Sequence, residues 1–336
     1  AASVSEVFTP LRVKLQSLLD DLMGSDKKPS NKFNALVLPI DQQKKFVNAI
    51  ASQIGFDFQS GRLDESTHPF CSGTHCNDVR MTTRFHENNV NDAIGSTMHE
   101  CGHGIYEQGL LFTNVGTPMG SAVSLGIHES QSRMWENQVG RSEAFWKWCY
   151  PKMDEFFGDA TAHLSFDDVY GGANIVKPDF IRVEADEATY NMHIMIRFEL
   201  ERLLMKGELA VADLPDAWNA RYQEYLGIDV LSDTKGCLQD IHWSMTSMGY
   251  FPTYTLGNLY CAQFFDTAME EIPDMYEQFA RGEFGTLKTW LNENIHCHGQ
   301  RFRAADLCVH VTGKPLSSDP LMRHLENKLK PIYGLA

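Results

Sequence analysis

His99-Glu100-Cys101-Gly102-His103 is the stretch on which the reading of this chain turns. If the segment is helical, two histidines four positions apart lie on one face and can share a metal ion. The glutamate after the first histidine then sits beside that ion, placed to deprotonate a water. The surroundings predict such a helix. Asn91 to Gly109 contains no proline, and Ile94, Met98, Ile105 and Leu110 mark one buried face. The competing reading is a core helix whose histidines are hydrogen-bonded internally, because so short a pattern also arises by chance.

A hydrolytic zinc takes three protein ligands and keeps a fourth position open. Gly109 stands where the metzincin pattern carries its third histidine, so that class is excluded. Glu107 lies further along the same helix, about 12 Å from His99 at about 1.5 Å per residue, too far to share the ion. A carboxylate from a second helix is the better third ligand. The run Gly126-Ile127-His128-Glu129-Ser130-Gln131-Ser132-Arg133-Met134-Trp135 offers Glu129 in a helical pattern. Spacing alone leaves that glutamate open between a ligand and plain helix surface.

Further elements stand in a fixed order along the chain: His68-Pro69-Phe70, Asp78-Val79-Arg80-Met81-Thr82, His128-Glu129-Ser130-Gln131, Ile181-Arg182-Val183-Glu184-Ala185-Asp186, and Gly236-Cys237-Leu238-Gln239-Asp240-Ile241-His242-Trp243. With the HExxH motif they resemble the HPF, DxRxT, HES/TQ, IRxxAD and GxxQDxHW signatures of the thermostable carboxypeptidase (carboxypeptidase Taq) family of zinc metallocarboxypeptidases. The resemblance implies a mainly α, gluzincin-like HExxH zinc-peptidase fold and a Zn²⁺ held by His99, His103 and Glu129. It also implies homodimerisation. Members of the family are about half as long again, with a helical region ahead of the HPF element that helps wall the substrate groove. Only Ala1–Thr67 precede His68 here, and the chain opens Ala1-Ala2 without methionine. We therefore expect either a fragment that lacks that N-terminal region or a naturally short or processed form.

The remaining composition narrows the class. A chain of 336 residues with 43% hydrophobic content can bury a large core. A formal charge of −15 argues against nucleic-acid binding, which needs a basic face. No apolar run approaches the roughly eighteen residues of a membrane span, and no signal-peptide pattern opens the chain. The 8 cysteines show no disulfide-like rhythm and no Asn-x-Ser/Thr acceptor occurs, which suits a reducing cytosol. The local clusters Cys71–Cys76 and His296-Cys297-His298 lack the partner spacing of a second metal site and read as free thiols and surface histidines.

Apolar residues at three- and four-residue spacing predict helices at Asp41–Ile54, Asn91–Glu107, Glu143–Phe157, Glu187–Met205 and Asp213–Leu226. Gly61 to Phe85 breaks the pattern. Asp78 to Phe85 alternates as a half-buried strand does, so a small sheet is expected just ahead of the motif helix, where its edge could hold an extended peptide. Gly171-Gly172 and Phe112–Gly126 read as loops. No repeat or linker interrupts residues 1–336, which predicts one continuous catalytic domain.

Residue roles follow. His99, His103 and Glu129 hold the metal, zinc by preference with cobalt or manganese as substitutes. Glu100 is the general base. The oxyanion needs a donor besides the metal. His242 and Tyr250 are the candidates, with Tyr254 the rival of Tyr250, against the alternative of an aromatic-rich core. A free C-terminal carboxylate calls for a planar guanidinium. Arg182 is the first choice and Arg80 the reserve, against an ordinary salt bridge of Arg182 to nearby acids. Asp186 could orient a histidine ligand or cap the Glu187–Met205 helix, and His68 could approach the substrate or the sheet edge. The expected function is carboxypeptidase action of broad specificity on peptides. A zinc endopeptidase, or a metal-binding but inactive fragment, is the alternative.

Overall fold

The computed structural model describes residues 1–336. Helices dominate, and the contacts gather into two compact units, each built from segments far apart in sequence. One comprises Pro29–Ala173 and Gly257–Leu316; the other comprises Ala1–Lys28, Asn174–Leu256 and Ser317–Ala336.

The first of these units contains the only sheet, formed by β1 (Gly61–Glu65), β2 (Phe70–His75) and β3 (Asp78–Thr83) in the order β1-β3-β2. β1 runs parallel to the central β3 and β2 runs antiparallel to it. The alternation read from the sequence is the cause: Val79 and Met81 point inward with no exposure, while Arg80 faces out. The motif helix, Val90–Gly109, packs on this sheet. Asn89 caps its first turn by accepting the Asp92 N–H at 3.2 Å. Ser124 does the same for the next helix, Leu125–Arg133, through the Ile127 N–H at 3.1 Å. That helix runs on into a wide π-helical stretch, Met134–Val139. Gly102, between the two motif histidines, is where these helices meet. A Cβ there would lie 2.5 Å from the Gln131 carbonyl oxygen and 2.5 Å from the Ser132 Cα.

Helices Ile40–Gln53 and Glu143–Phe157 close over the same core, burying Phe46, Val47, Ile50, Phe145, Trp146 and Cys149. Phe112–Asn114 and Pro118–Gly120 are single 3₁₀ turns within the expected loop. Gly171-Gly172 departs from expectation. Both lie inside the helix Phe166–Ala173. These glycines serve close packing instead of a turn, since a Cβ on Gly172 would meet the Phe33 Cβ at 2.8 Å. His296 also departs from its surface reading: it is buried and bonded to Asn292 and Gln131.

The other unit is wholly helical apart from turns. Ala2–Gly24 buries a leucine stripe (Leu11, Leu15, Leu18, Leu22) beside Tyr190–Lys206 and Asp319–Ile332. Tyr190–Lys206 and Leu214–Leu226 end on Gly207 and Gly227, both left-handed at φ 70° and 66°, as helix C-termini favour. Asp186 serves the turn ahead of Tyr190: its carboxylate accepts the N–H groups of Lys177, Ala188 and Thr189. No helix is long and apolar enough to cross a membrane. All 8 cysteines are unpaired.

Candidate metal centre

The motif helix carries His99 and His103 on one face, with ring centroids 4.9 Å apart. Helix Leu125–Arg133 brings Glu129 against them. Its Oε2 lies 3.8 Å from His99 Nε2 and 3.6 Å from His103 Nε2. One ligand atom from each of the three residues falls within 4.8 Å of the others. Two ligands about 2.1 Å from a tetrahedral zinc stand about 3.4 Å apart, so the donor set fits such an ion.

The other ring nitrogens are engaged, which leaves the Nε2 atoms for a metal. His99 Nδ1 meets Glu136 Oε2 at 2.8 Å. His103 Nδ1 meets His128 Nδ1 at 2.6 Å, and His128 Nε2 meets Glu107 Oε1 at 2.8 Å. Arg133 ties the acids together, with Nε donating to Glu129 Oε1 at 2.8 Å and Nη1 to Glu136 Oε2 at 3.0 Å. Gly257 leaves room for the ligand, since a Cβ there would press on Glu129 Cγ at 2.6 Å.

Burial and charge divide the titrating groups. Burial disfavours the His99 imidazolium, but the carboxylates of Glu129 and Glu136 outweigh it and raise its pKa. Burial, with His128 and His99 as neighbours, holds His103 well below the usual range, so it stays neutral, as a ligand must. Glu100 is 5% exposed, and burial pushes its carboxyl up to about 7. Its Oε2 is buried with no hydrogen-bond partner. A carboxylate poised near neutrality beside the His99–His103–Glu129 cluster suits proton transfer.

The remaining candidates divide between the units. In the sheet, Arg80 is exposed and paired with Asp78 at 2.9 Å, and His68 is exposed ahead of β2 with Nδ1 at 2.7 Å from its neighbour Pro69 O. In the other unit Arg182 is buried. Its Nε and Nη2 donate to Asp240 Oδ1 at 3.0 and 2.8 Å, and its Nη1 donates to the Tyr190 hydroxyl. Asp240 Oδ2 accepts from the fully buried Arg197 at 2.7 Å. Two guanidiniums therefore share one carboxylate. His242 Nε2 lies 3.1 Å from the Tyr254 hydroxyl, and its ring packs on Phe251 and Tyr250. The Arg182 guanidinium lies 5.0 Å from the Tyr254 ring centroid.

A family model described as carboxypeptidase Taq (M32) metallopeptidase matches residues 1–329. The chain belongs to this family. It is 45% identical over 334 residues to thermostable carboxypeptidase 1 of Thermus thermophilus, covering 99% of this chain and 65% of that one. It is 41% identical over 332 residues to carboxypeptidase 1 of Bacillus subtilis, covering 99% of this chain and 66% of that protein. The M32 chain thus spans about 65% of the length of the curated relatives it matches. Among solved structures, it is similar to the M32 carboxypeptidase of Deinococcus radiodurans (TM-score 0.97, 41% identity, 100% of this chain and 67% of that one). It is also similar to metallocarboxypeptidase 1 of Trypanosoma cruzi (TM-score 0.91, 34% identity, 98% and 69%).

Sequence reading missed four parts of this M32 centre. Arg133 and Glu136 follow Glu129 by four and seven residues, a helical spacing that places all three on one face, with Glu136 just past the run that ends at Trp135. His128, the first residue of the HES/TQ element, lies between His103 and Glu107. Glu107, rejected as a ligand on distance, stands outside the ligand cluster and meets His128 instead.

Proposed function

We propose that this chain is a zinc-dependent carboxypeptidase that removes C-terminal residues from peptides with broad specificity, residues 1–336 acting as one catalytic domain. The observation that carries the reading is the convergence of His99, His103 and Glu129 within 4.8 Å, electrostatically coupled to a buried Glu100 whose carboxyl is pushed up to about 7. A zinc ion held there would polarise a peptide carbonyl and lower the pKa of water towards about 7, and cobalt or manganese could substitute. Glu100 takes the water's proton on its carboxylate and later passes it to the leaving amine. The outer edge of β2 has no strand partner, which supports pairing with an extended peptide backbone.

His242 and Tyr250 are proposed as donors to the developing oxyanion on the strength of the GxxQDxHW match. The His242–Tyr254 contact favours Tyr254 as the alternative hydroxyl. Arg182 is proposed to take the terminal carboxylate, with Arg80 in reserve and His68 towards the substrate. Arg182 and Arg197 share only Asp240, so these three groups keep one positive charge in excess, and that supports an anionic ligand. A homodimer working in the cytosol completes the reading, supported by the family resemblance and the cysteine pattern.

The test is mass spectrometry of a free-acid peptide and its C-terminal amide, each incubated with the zinc-loaded chain. A ladder of C-terminally shortened products from the free acid alone is expected. Internal cuts in both peptides would move the assignment to an endopeptidase. Bound zinc with no product would make the chain a metal-binding but inactive fragment.

A further inference from the structure

The two motif histidines are backed differently. His99 rests its Nδ1 on a carboxylate, Glu136, at 2.8 Å. His103 rests on a second imidazole, His128, and only that imidazole reaches a carboxylate, Glu107. We infer that His128 and Glu107 are a positioning pair: they hold His103 in the tautomer and orientation that binds the metal, and so set metal affinity without touching the ion.

The proton directions leave one consistent arrangement. Two ring Nδ1 atoms 2.6 Å apart must share a single proton, since two protons would collide and two lone pairs would repel. His103 Nε2 is the atom that faces Glu129, so it must carry a lone pair to serve as a ligand. The proton of His103 is therefore on Nδ1, and His128 Nδ1 accepts it. The proton of His128 is then on Nε2, which faces Glu107 Oε1 at 2.8 Å. A carboxylate at the far end polarises both imidazoles and strengthens His103 as a donor to a cation.

Independent packing holds the pair. The Tyr106 ring lies 5.1 Å from the His128 ring, and its hydroxyl accepts the Val123 N–H at 3.3 Å. On β2, Gly73 leaves the space that Glu107 fills, since a Cβ there would meet the Glu107 Cδ at 2.7 Å. The sheet, the motif helix and the Glu129 helix each contribute to seating two side chains that are not ligands.

The inference rests on the metal reading above, and the experiment separates the two. Zinc affinity is measured by competition with a chromophoric chelator for the parent chain, His128→Ala, His128→Asn and Glu107→Gln. Melting of each metal-free protein is followed alongside. Loss of such outer partners typically weakens metal binding about 10- to 100-fold. That loss is expected for His128→Ala, and a smaller one for His128→Asn, which keeps an acceptor for His103 but cuts the link to Glu107. Glu107→Gln, close in shape to the parent, should still weaken zinc binding while leaving the metal-free melting temperature near the parent value. Glu107→Gln carries the test if His128→Ala fails to fold. Affinities within about twofold of the parent in the folded variants would overturn the positioning role, whether or not melting falls. A parent chain that takes up no zinc would overturn the metal reading and this inference with it.

Discussion

Replacing Asp240 by asparagine perturbs the most charge-dense point of the unit that carries Arg182. Asp240 accepts from Arg182 at 2.8 Å and from Arg197 at 2.7 Å, and all three side chains are less than a tenth exposed. Burial alone would raise its carboxyl, but Arg197 and then Arg182 outweigh it and bring the carboxyl down to about 2 from 3.8. At about 1.4 kcal/mol per pH unit, that interval makes ionised Asp240 worth about 2 kcal/mol of stability. A depressed carboxyl contributes fully above the unfolded value near 3.8, and the contribution fades as pH falls through about 2. At neutral pH the Asp240→Asn variant should lose that same charge-dependent part, about 2 kcal/mol, because two guanidiniums are left buried without their anion. The assay is urea unfolding of parent and variant across pH 7 to 2. The gap between them should hold steady down to about pH 4 and then narrow by about 2 kcal/mol, since a protonated Asp240 is as neutral as asparagine. A gap unchanged over the whole range would refute the assignment of Asp240 as the anion of this cluster.

Glu100→Gln should retain stoichiometric zinc by elemental analysis while peptide hydrolysis falls about 10²- to 10⁴-fold, the usual contribution of a general base; unchanged turnover would remove Glu100 from the chemistry. Gly102→Ala should destabilise by about 1–3 kcal/mol in urea unfolding and lower zinc uptake, because the new methyl would strike the backbone of Gln131 and Ser132 at the helix crossing that brings Glu129 to the histidines. Normal stability and uptake would show that this crossing has slack. Dialysis against a strong chelator should abolish peptide release, and zinc should restore it.

The two histidines of HExxH, their helix and the alternating strand ahead of it were legible because each follows from a local period. Glu129 was not fixed by spacing. Helical periodicity says which residues share a face, but not which other helix that face meets; Gly102 and Gly257 let the chains approach, and a glycine's reason for being small is invisible until its neighbour is known. Gly171-Gly172 shows the same limit from the other side, since a pair that reads as a turn in one dimension is a packing contact against Pro29 and Phe33. Glu107 teaches a different point. It stands outside the His99–His103–Glu129 cluster, yet its carboxylate meets His128, which in turn meets His103.

The proposed metal ligands and their supports, from His99 to Glu136, belong to one unit, and the proposed carboxylate-binding cluster of Arg182, Asp240 and Arg197 belongs to the other. Perturbing each should therefore move different observables. Arg182→Met leaves Asp240 compensated by Arg197, so the unit keeps its buried ion pair. Loss of a charged hydrogen bond to a terminal carboxylate costs about 1.5–3 kcal/mol, a rise in KM for free-acid peptides of about 10- to 150-fold, with zinc affinity unchanged. Glu136→Gln should do the opposite, weakening zinc about 10- to 100-fold while leaving KM near the parent value once zinc is saturating. Were Arg182→Met to lose zinc, or Glu136→Gln to raise KM at saturating zinc, metal capture and recognition of the chain end would not be separate tasks, one to each unit.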